Sequence, residues 1–255
     1  MLGVYFSGTG NSKFCVETFI KNLDINNRSL SIEYDNIVEE IKKEDFIVFG
    51  YPTQYSNIPK ILKDFIIQNK NLWKNKKIFI ITTMAMFSGD GCGILSRLLK
   101  KYEAEIVGGL HIKMPDSISD IKILKRSIKY NNKLIFKAEI KLKNCANNLK
   151  KGKIPKDGLS ILSWILGLFI QRLYFYNKTN KYHSNIKINK DNCIKCKKCV
   201  NICPMNNLEY KSNQIYINNR CILCYRCVNY CPKKAITILG NKVYIQSNIE
   251  KYKKV

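Results

Sequence analysis

Two short runs carry the clearest chemistry in this chain. They are CIKCKKCVNICP, from Cys193 to Pro204, and CILCYRCVNYCP, from Cys221 to Pro232. Both follow C-x2-C-x2-C-x3-C-P. Three thiolates at that spacing wrap one corner of an iron–sulfur cube. The fourth cysteine is turned away by its proline and reaches the other cube. The spacing predicts one [4Fe-4S] cluster on Cys193, Cys196, Cys199 and Cys231, and a second on Cys221, Cys224, Cys227 and Cys203. Each run lends a ligand to its twin, so neither closes a cluster alone. Zinc is the competing metal, but it favours paired C-x2-C motifs around one tetrahedral ion. Triplets with a trailing Cys-Pro do not suit it.

The stretch VYFSGTGNSK, from Val4 to Lys13, is the second place where chemistry is written locally. A glycine-rich turn between an apolar strand and a helix is a phosphate site, because the helix N-terminus presents free amide groups. The loop lacks the G-x-x-x-x-G-K-[ST] of nucleotide triphosphatases. It also lacks the third glycine of the dinucleotide fingerprint, where Lys13 stands. What remains is a cup for one terminal phosphate. Ser7, Thr9, Asn11 and Ser12 would supply polar groups, and Gly8 and Gly10 would let the backbone close in.

These residues need a frame, and the first part of the chain supplies one. Strands are expected at Leu2–Phe6, Leu30–Tyr34, Phe46–Tyr51, Ile78–Thr83 and Glu105–Ile112. Helices are expected at Lys13–Leu23, Ile37–Lys42, Ile58–Gln68 and Ile94–Tyr102, with a fifth over Ile118–Lys153. Alternation of this kind predicts a parallel sheet covered on both faces, in a doubly wound order. From about Tyr182 short strands and cysteine clusters replace the long helices. The expected division is an α/β domain over 1–155, an apolar linker helix over 156–180 and a small α+β domain over 181–255.

Within the linker, Leu159–Tyr176 is apolar nearly all round and flanked by lysines. It is slightly short for a membrane span of about 20 residues and carries Gln171 and Arg172. Burial between the domains or at a dimer interface is the first expectation, and an anchor lying on a membrane surface is the second.

The chain carries 44 Lys+Arg against 19 Asp+Glu in 255 residues, a net charge of +25. From Lys181 onward there are 15 against 3, a net of +12, so the charge per residue is about twofold denser in the tail. Such a field attracts anions, which admits an acidic redox partner protein or a membrane surface. No helix-turn-helix, zinc-finger or RNP-type signature accompanies it, so no specific nucleic acid is expected. The start shows no secretion signal. Eleven cysteines in a reducing cytoplasm then argue for metal over disulfides. Cys92, in GDGCGIL, could be activated by a helix N-terminus or simply idle. Cys15 and Cys145 read as structural, as does His111. His183 has no catalytic setting either, and no catalytic residue is assigned.

The tail from Ile186 to Leu239 resembles bacterial ferredoxins that carry two [4Fe-4S] clusters. In that family a strand in the position of KKAITI pairs back to the start of the domain. Glycines often stand between the first cysteines there, where this chain has Lys195, Lys197 and Lys198. A lysine favours the reduced, more negative cluster. At about 8 Å and an effective dielectric near 20 the shift is at most roughly 90 mV before screening. The first cluster is therefore expected to have the higher potential. The loop SGTGNS resembles the FMN phosphate loop of flavodoxins. That resemblance implies two ring-binding loops, YPTQYSN (Tyr51 to Asn57) and TTMAMFSGDG (Thr82 to Gly91). Pro52, Thr53, Thr83 and Met84 would line the ring, with Tyr55 and Phe87 flanking it and Tyr51 as a third candidate. Flavodoxins are usually acidic around this site, and this chain is basic. Over nearly its full length the chain resembles flavodoxin–ferredoxin fusion proteins of anaerobic bacteria, most strongly at VYFSGTGN and CP-x-NN-L (Cys203 to Leu208). The resemblance implies electron transfer between FMN and two clusters. A flavin-dependent reductase, or a ferredoxin whose first domain is a cofactor-free docking module, are the other readings.

Overall fold

The computed structural model describes residues 1–175, 182 and 184–253. Five strands, β1 (Leu2–Tyr5), β2 (Arg28–Ser31), β3 (Phe46–Pro52), β4 (Lys77–Met84) and β5 (Glu105–Lys113), form one parallel sheet in the order β2-β1-β3-β4-β5. This is the flavodoxin-like doubly wound order, whose switch point lies between β1 and β3.

Successive residues of the central strands alternate between two cores, as the pleat requires. Ile47, Phe49, Ile78 and Ile80 meet Leu62 and Ile66 of α3 (Lys60–Gln68) and Leu95 and Leu99 of α4 (Gly91–Lys100). Val48, Phe79 and Ile81 face Val16, Phe19 and Ile20 of α1 (Asn11–Leu23) and Ala138 and Leu142 of α5 (Ile128–Lys150). The short α2 (Ile37–Lys42) sits where its sequence places it.

Strand β2 ends earlier than its apolar run suggests. Its pairing with β1 stops at Ser31, opposite Tyr5, because β1 there gives way to the phosphate loop. Glu33 and Tyr34 then turn back on Ser31. The fifth helix also starts later than expected. Ser127 caps it by accepting from the Tyr130 amide at 3.2 Å. Residues 118–126, expected to be the start of this helix, hold only a 3-10 turn at Lys122–Leu124. Their polar groups are used elsewhere: Asp120 accepts from the amides of Ile238, Leu239 and Gly240 at 2.7, 2.9 and 3.1 Å and from the Tyr225 hydroxyl at 2.9 Å.

That loop is the dock for the second domain. Asn229 donates to the Ser117 carbonyl at 2.8 Å, and Ser119 donates to Asn229 Oδ1. The second domain pairs β6 (Lys187–Ile188) antiparallel with β9 (Ile236–Thr237), the strand within KKAITI, and adds the hairpin β7 (Leu208–Lys211) and β8 (Gln214–Ile217). Its core is Ile186, Leu208, Val228, Ile236 and Ile238.

The linker contains α6 (Ile161–Leu166), continued by a π-helical turn at Gly167–Arg172. It is not buried between the domains: α6 contributes no buried residue, and Phe169, Leu173 and Tyr174 are exposed. The domains already meet through the 115–120 loop, which leaves the linker on the surface. Tyr176 lies outside the described residues, as does His183. Among the described residues no helix is long and apolar enough to cross a membrane.

Candidate iron–sulfur centres and flavin cleft

Each cysteine run leads into a short helix, Lys198–Asn201 for the first and Arg226–Tyr230 for the second, which fixes its third cysteine. The two runs also share backbone geometry. Lys195 and Lys197 take left-handed φ values of 55° and 59°, and their counterparts Leu223 and Tyr225 take 55° and 58°. Non-glycine residues adopt this region at a cost of roughly 1–2 kcal/mol each.

The eight cysteines gather into two sets, each around its own cavity. One cavity is lined by Cys193, Cys196, Cys199 and Cys231. The other is lined by Cys203, Cys221, Cys224 and Cys227. Each set takes three thiols from one run and one from the other. The lone thiols sit in matching environments: Cys203 Sγ accepts from the Asn207 amide and Cys231 Sγ from the Ala235 amide, both at 3.3 Å. Amide donors of this kind stabilise sulfur that carries negative charge. The second set lies deeper, since Cys221 and Cys227 are buried, while Cys196 of the first set is exposed.

Cations stand beside both cavities, but their compensation differs. Arg226, at the second, donates to both carboxylate oxygens of Glu33 at 2.7 Å and to the carbonyls of Ser7 at 2.9 Å and Ile202 at 3.1 Å. Lys197 and Lys198, at the first, lie over the rings of Tyr210 and Tyr230 and form no ion pair among the described residues.

Between the domains lies a larger cavity of about 470 Å³, within the size range of small-molecule and cofactor sites. Its floor is the phosphate loop: Ser7, Gly8, Thr9, Asn11 and Ser12 line it. Ser12 Oγ and Thr83 Oγ1 share a hydrogen bond of 2.8 Å, and Asn11 donates to the Pro115 carbonyl at 2.8 Å. Ser7 Oγ is buried with no hydrogen-bond partner. A buried hydroxyl left unpaired is unfavourable, and a phosphate oxygen would satisfy it. Gly10 lies on the neighbouring cleft instead, at φ 89° against Ile249.

The walls are Pro52, Thr53, Tyr55, Thr83, Met84 and Phe87. Thr53 donates its amide to the Thr83 carbonyl at 2.9 Å, which joins the two ring-side loops. Tyr55, at φ 51°, packs on Phe175 with ring centroids 4.3 Å apart. Phe87 is half exposed at the wall. Tyr51 is not at the cavity: it is fully buried in the sheet core, and its hydroxyl donates to the Gly91 carbonyl. Cys92 lies just behind it, fully buried, with burial pushing its thiol up to about 12. Burial dominates any effect of the helix start, and the thiol is held unreactive.

The roof comes from the second domain. Leu223, Cys224, Tyr225 and Leu239 all line this cavity. Gln54 donates to the carbonyls of Ile222 at 3.0 Å and Leu223 at 3.3 Å, which ties a ring-side loop to the second cysteine run. Gly8 touches the Cys224 carbonyl so closely that a Cβ would overlap it. Gln54, Asp120, Arg226 and Tyr225 were not singled out from the sequence. The signals available were the position of Tyr225 and Arg226 inside the second run and of Gln54 inside the ring-side loop YPTQYSN; Asp120 had none.

Residues 192–236 match the family described as 4Fe-4S dicluster domain. No curated protein sequence matches the chain. Among solved structures the first part is similar to the flavodoxin of Megasphaera elsdenii, at 21% identity over 46% of this chain and 89% of that one, with a TM-score of 0.40. It is also similar to oxidised Flavodoxin 2 of Bacillus cereus, at 20% identity over 59% and 97%, with a TM-score of 0.44. The flavodoxin of Streptococcus pneumonia TIGR4 is similar at 13% identity over 59% and 97%, with a TM-score of 0.42. The strand order and the matched segment together define a flavodoxin-like domain joined to an iron–sulfur domain.

Proposed function

We propose that the protein transfers electrons between FMN in the interdomain cavity and two [4Fe-4S] clusters on the two cysteine sets. One observation carries this reading: Cys224 lines both the interdomain cavity and the cavity of the second set. When bound, the flavin supplies exchange between two-electron and one-electron chemistry, and the clusters supply single-electron steps. The Ser7 hydroxyl and the loop through Ser12 hold the phosphate at the start of α1. Tyr55 and Phe87 flank the ring, with Pro52, Thr53, Thr83 and Met84 along its edges. The Glu33–Arg226 pair and Asp120 fix the second domain, and the roof around Cys224 and Tyr225 keeps water from the ring.

The second cysteine set faces the flavin and the first faces outward among lysines. An acidic redox partner protein is the occupant that charge favours there. Anaerobic purification followed by iron, sulfide and flavin determination tests the proposal. About eight irons and one FMN per chain are expected. Iron without any FMN, retained or taken up on addition, would overturn it in favour of a docking module.

The lysines add a second expectation. Arg226 is neutralised by Glu33, whereas Lys195 and Lys197 form no ion pair among the described residues, so the first cluster should have the higher potential. Replacing Lys195→Gly and Lys197→Gly should lower that potential by up to roughly 90 mV each before screening. The same changes suit the left-handed backbone. An unchanged or raised potential in a redox titration followed by EPR would sink the assignment.

A further inference from the structure

The surface segment from Ile161 to Tyr174 carries two apolar rows. Ile161, Ile165, Phe169 and Leu173 form one; Leu162, Leu166, Ile170 and Tyr174 form the other. Their exposures run from 36% to 77%. Spacing by four overshoots the 3.6-residue turn of an α-helix, so such rows would normally drift around the axis. The π-helical turn at Gly167–Arg172 is wider and reverses that drift. Both rows therefore stay on one side over the whole segment. The opposite side is fastened to the first domain. Arg172 pairs with the fully buried Asp90, and Arg97 holds the same carboxylate. Gly167 packs directly against Asp90, and Phe175 packs on Tyr55.

The rim of this face is basic. Lys151, Lys153 and Lys156 are exposed just before it, and the sequence places Lys178 and Lys181 just after it. No aspartate or glutamate occurs between Gly158 and Lys190.

We propose that this face seats the protein on an anionic lipid surface, with the apolar rows at the acyl boundary and the lysines among the headgroups. A flat apolar helix with basic flanks is the form that binds in the plane of a bilayer, and lysines next to it are drawn to anionic lipid. The Arg172–Asp90 pair holds the segment parallel to the body of the protein, so it lies on the surface and does not thread through. A second copy of the chain is disfavoured as the occupant. It would press two lysine rims together in molecules that each carry +25. The inference does not depend on either cofactor.

The test uses the full chain as purified, mixed with vesicles of phosphatidylcholine alone or with one quarter phosphatidylglycerol. Co-sedimentation is expected with the phosphatidylglycerol vesicles and should weaken at least tenfold at high salt. The double substitution Phe169→Glu, Leu173→Glu should reduce it at least tenfold. A second readout needs no substitution. The chain has two tryptophans; Trp73 is fully buried and Trp164 lies in the segment, partly exposed. Emission should shift to shorter wavelength on adding anionic vesicles, and Trp73 cannot be its source. Wild-type protein that stays in the supernatant with unshifted emission would overturn the proposal. So would undiminished sedimentation of the double variant, or a dimer that the double variant dissociates while the wild type ignores vesicles.

Discussion

Replacing Asp120 with alanine should destabilise the protein by about 4 kcal/mol and loosen the second domain from the first. Asp120 is buried and accepts four hydrogen bonds, from the amides of residues 238–240 and from the Tyr225 hydroxyl. Each buried donor left unpaired costs roughly 1–3 kcal/mol, and water recovers part of that. For a chain of this size the loss corresponds to a fall in Tm of roughly 8–16 °C. Asp120→Asn keeps the shape and one acceptor, so it should fall between wild type and alanine. Denaturant unfolding of the loaded protein under nitrogen measures the loss, and limited proteolysis of the 115–125 loop reports the undocking. A change below about 1 kcal/mol for the alanine variant would mean that water replaces the carboxylate and that the other interdomain bonds, those of Ser117 and Ser119 with Asn229 among them, hold the dock.

Gly8→Ala should strip the flavin while leaving the iron in place. A Cβ at Gly8 would overlap the Cys224 carbonyl, which is backbone and cannot rotate away. Either the phosphate loop moves or the second cysteine run does. Overpacking of this sort typically costs about 1–3 kcal/mol. If that falls on the phosphate loop, FMN affinity drops roughly tenfold to a hundredfold. Gly10→Ala is the informative contrast. It strains the backbone at φ 89° but meets the side chain of Ile249, on the side away from the cavity. Its effect should appear in stability more than in flavin content. Equal flavin retention by wild type and Gly8→Ala, measured by released fluorescence per iron, would remove Gly8 from the site.

The sheet and its order were legible because local pattern encodes them. Ile47 through Phe49 and Ile78 through Ile81 are apolar on both faces, as strands covered by helices must be. The cysteine runs were legible for a related reason, since a repeated spacing is visible without knowing the fold. What stayed hidden was the dock. Residues 116–126 mix apolar and polar residues much as a surface helix does, and nothing local says that Asp120 caps three amides more than a hundred residues away. Gln54 and Arg226 act over similar separations. Tyr51 was misplaced for the opposite reason: it adjoins a ring-side loop, but strand pleating turns its side chain into the core.

The helix at Ile249–Lys253 returns to the first domain, where Ile249 and Tyr252 complete the face built by α1 and α5. Ile249 also donates its amide to Thr9 of the phosphate loop at 3.0 Å. The order of synthesis makes this a matter of time. Between Lys113, where the sheet ends, and Ile249 lie 136 peptide bonds, and ribosomes add roughly 5–20 residues per second. For roughly 7–27 s the sheet is complete while the cover of its phosphate loop does not yet exist. The eight thiols emerge inside that same interval, when the delivery of iron and sulfide meets no closed domain.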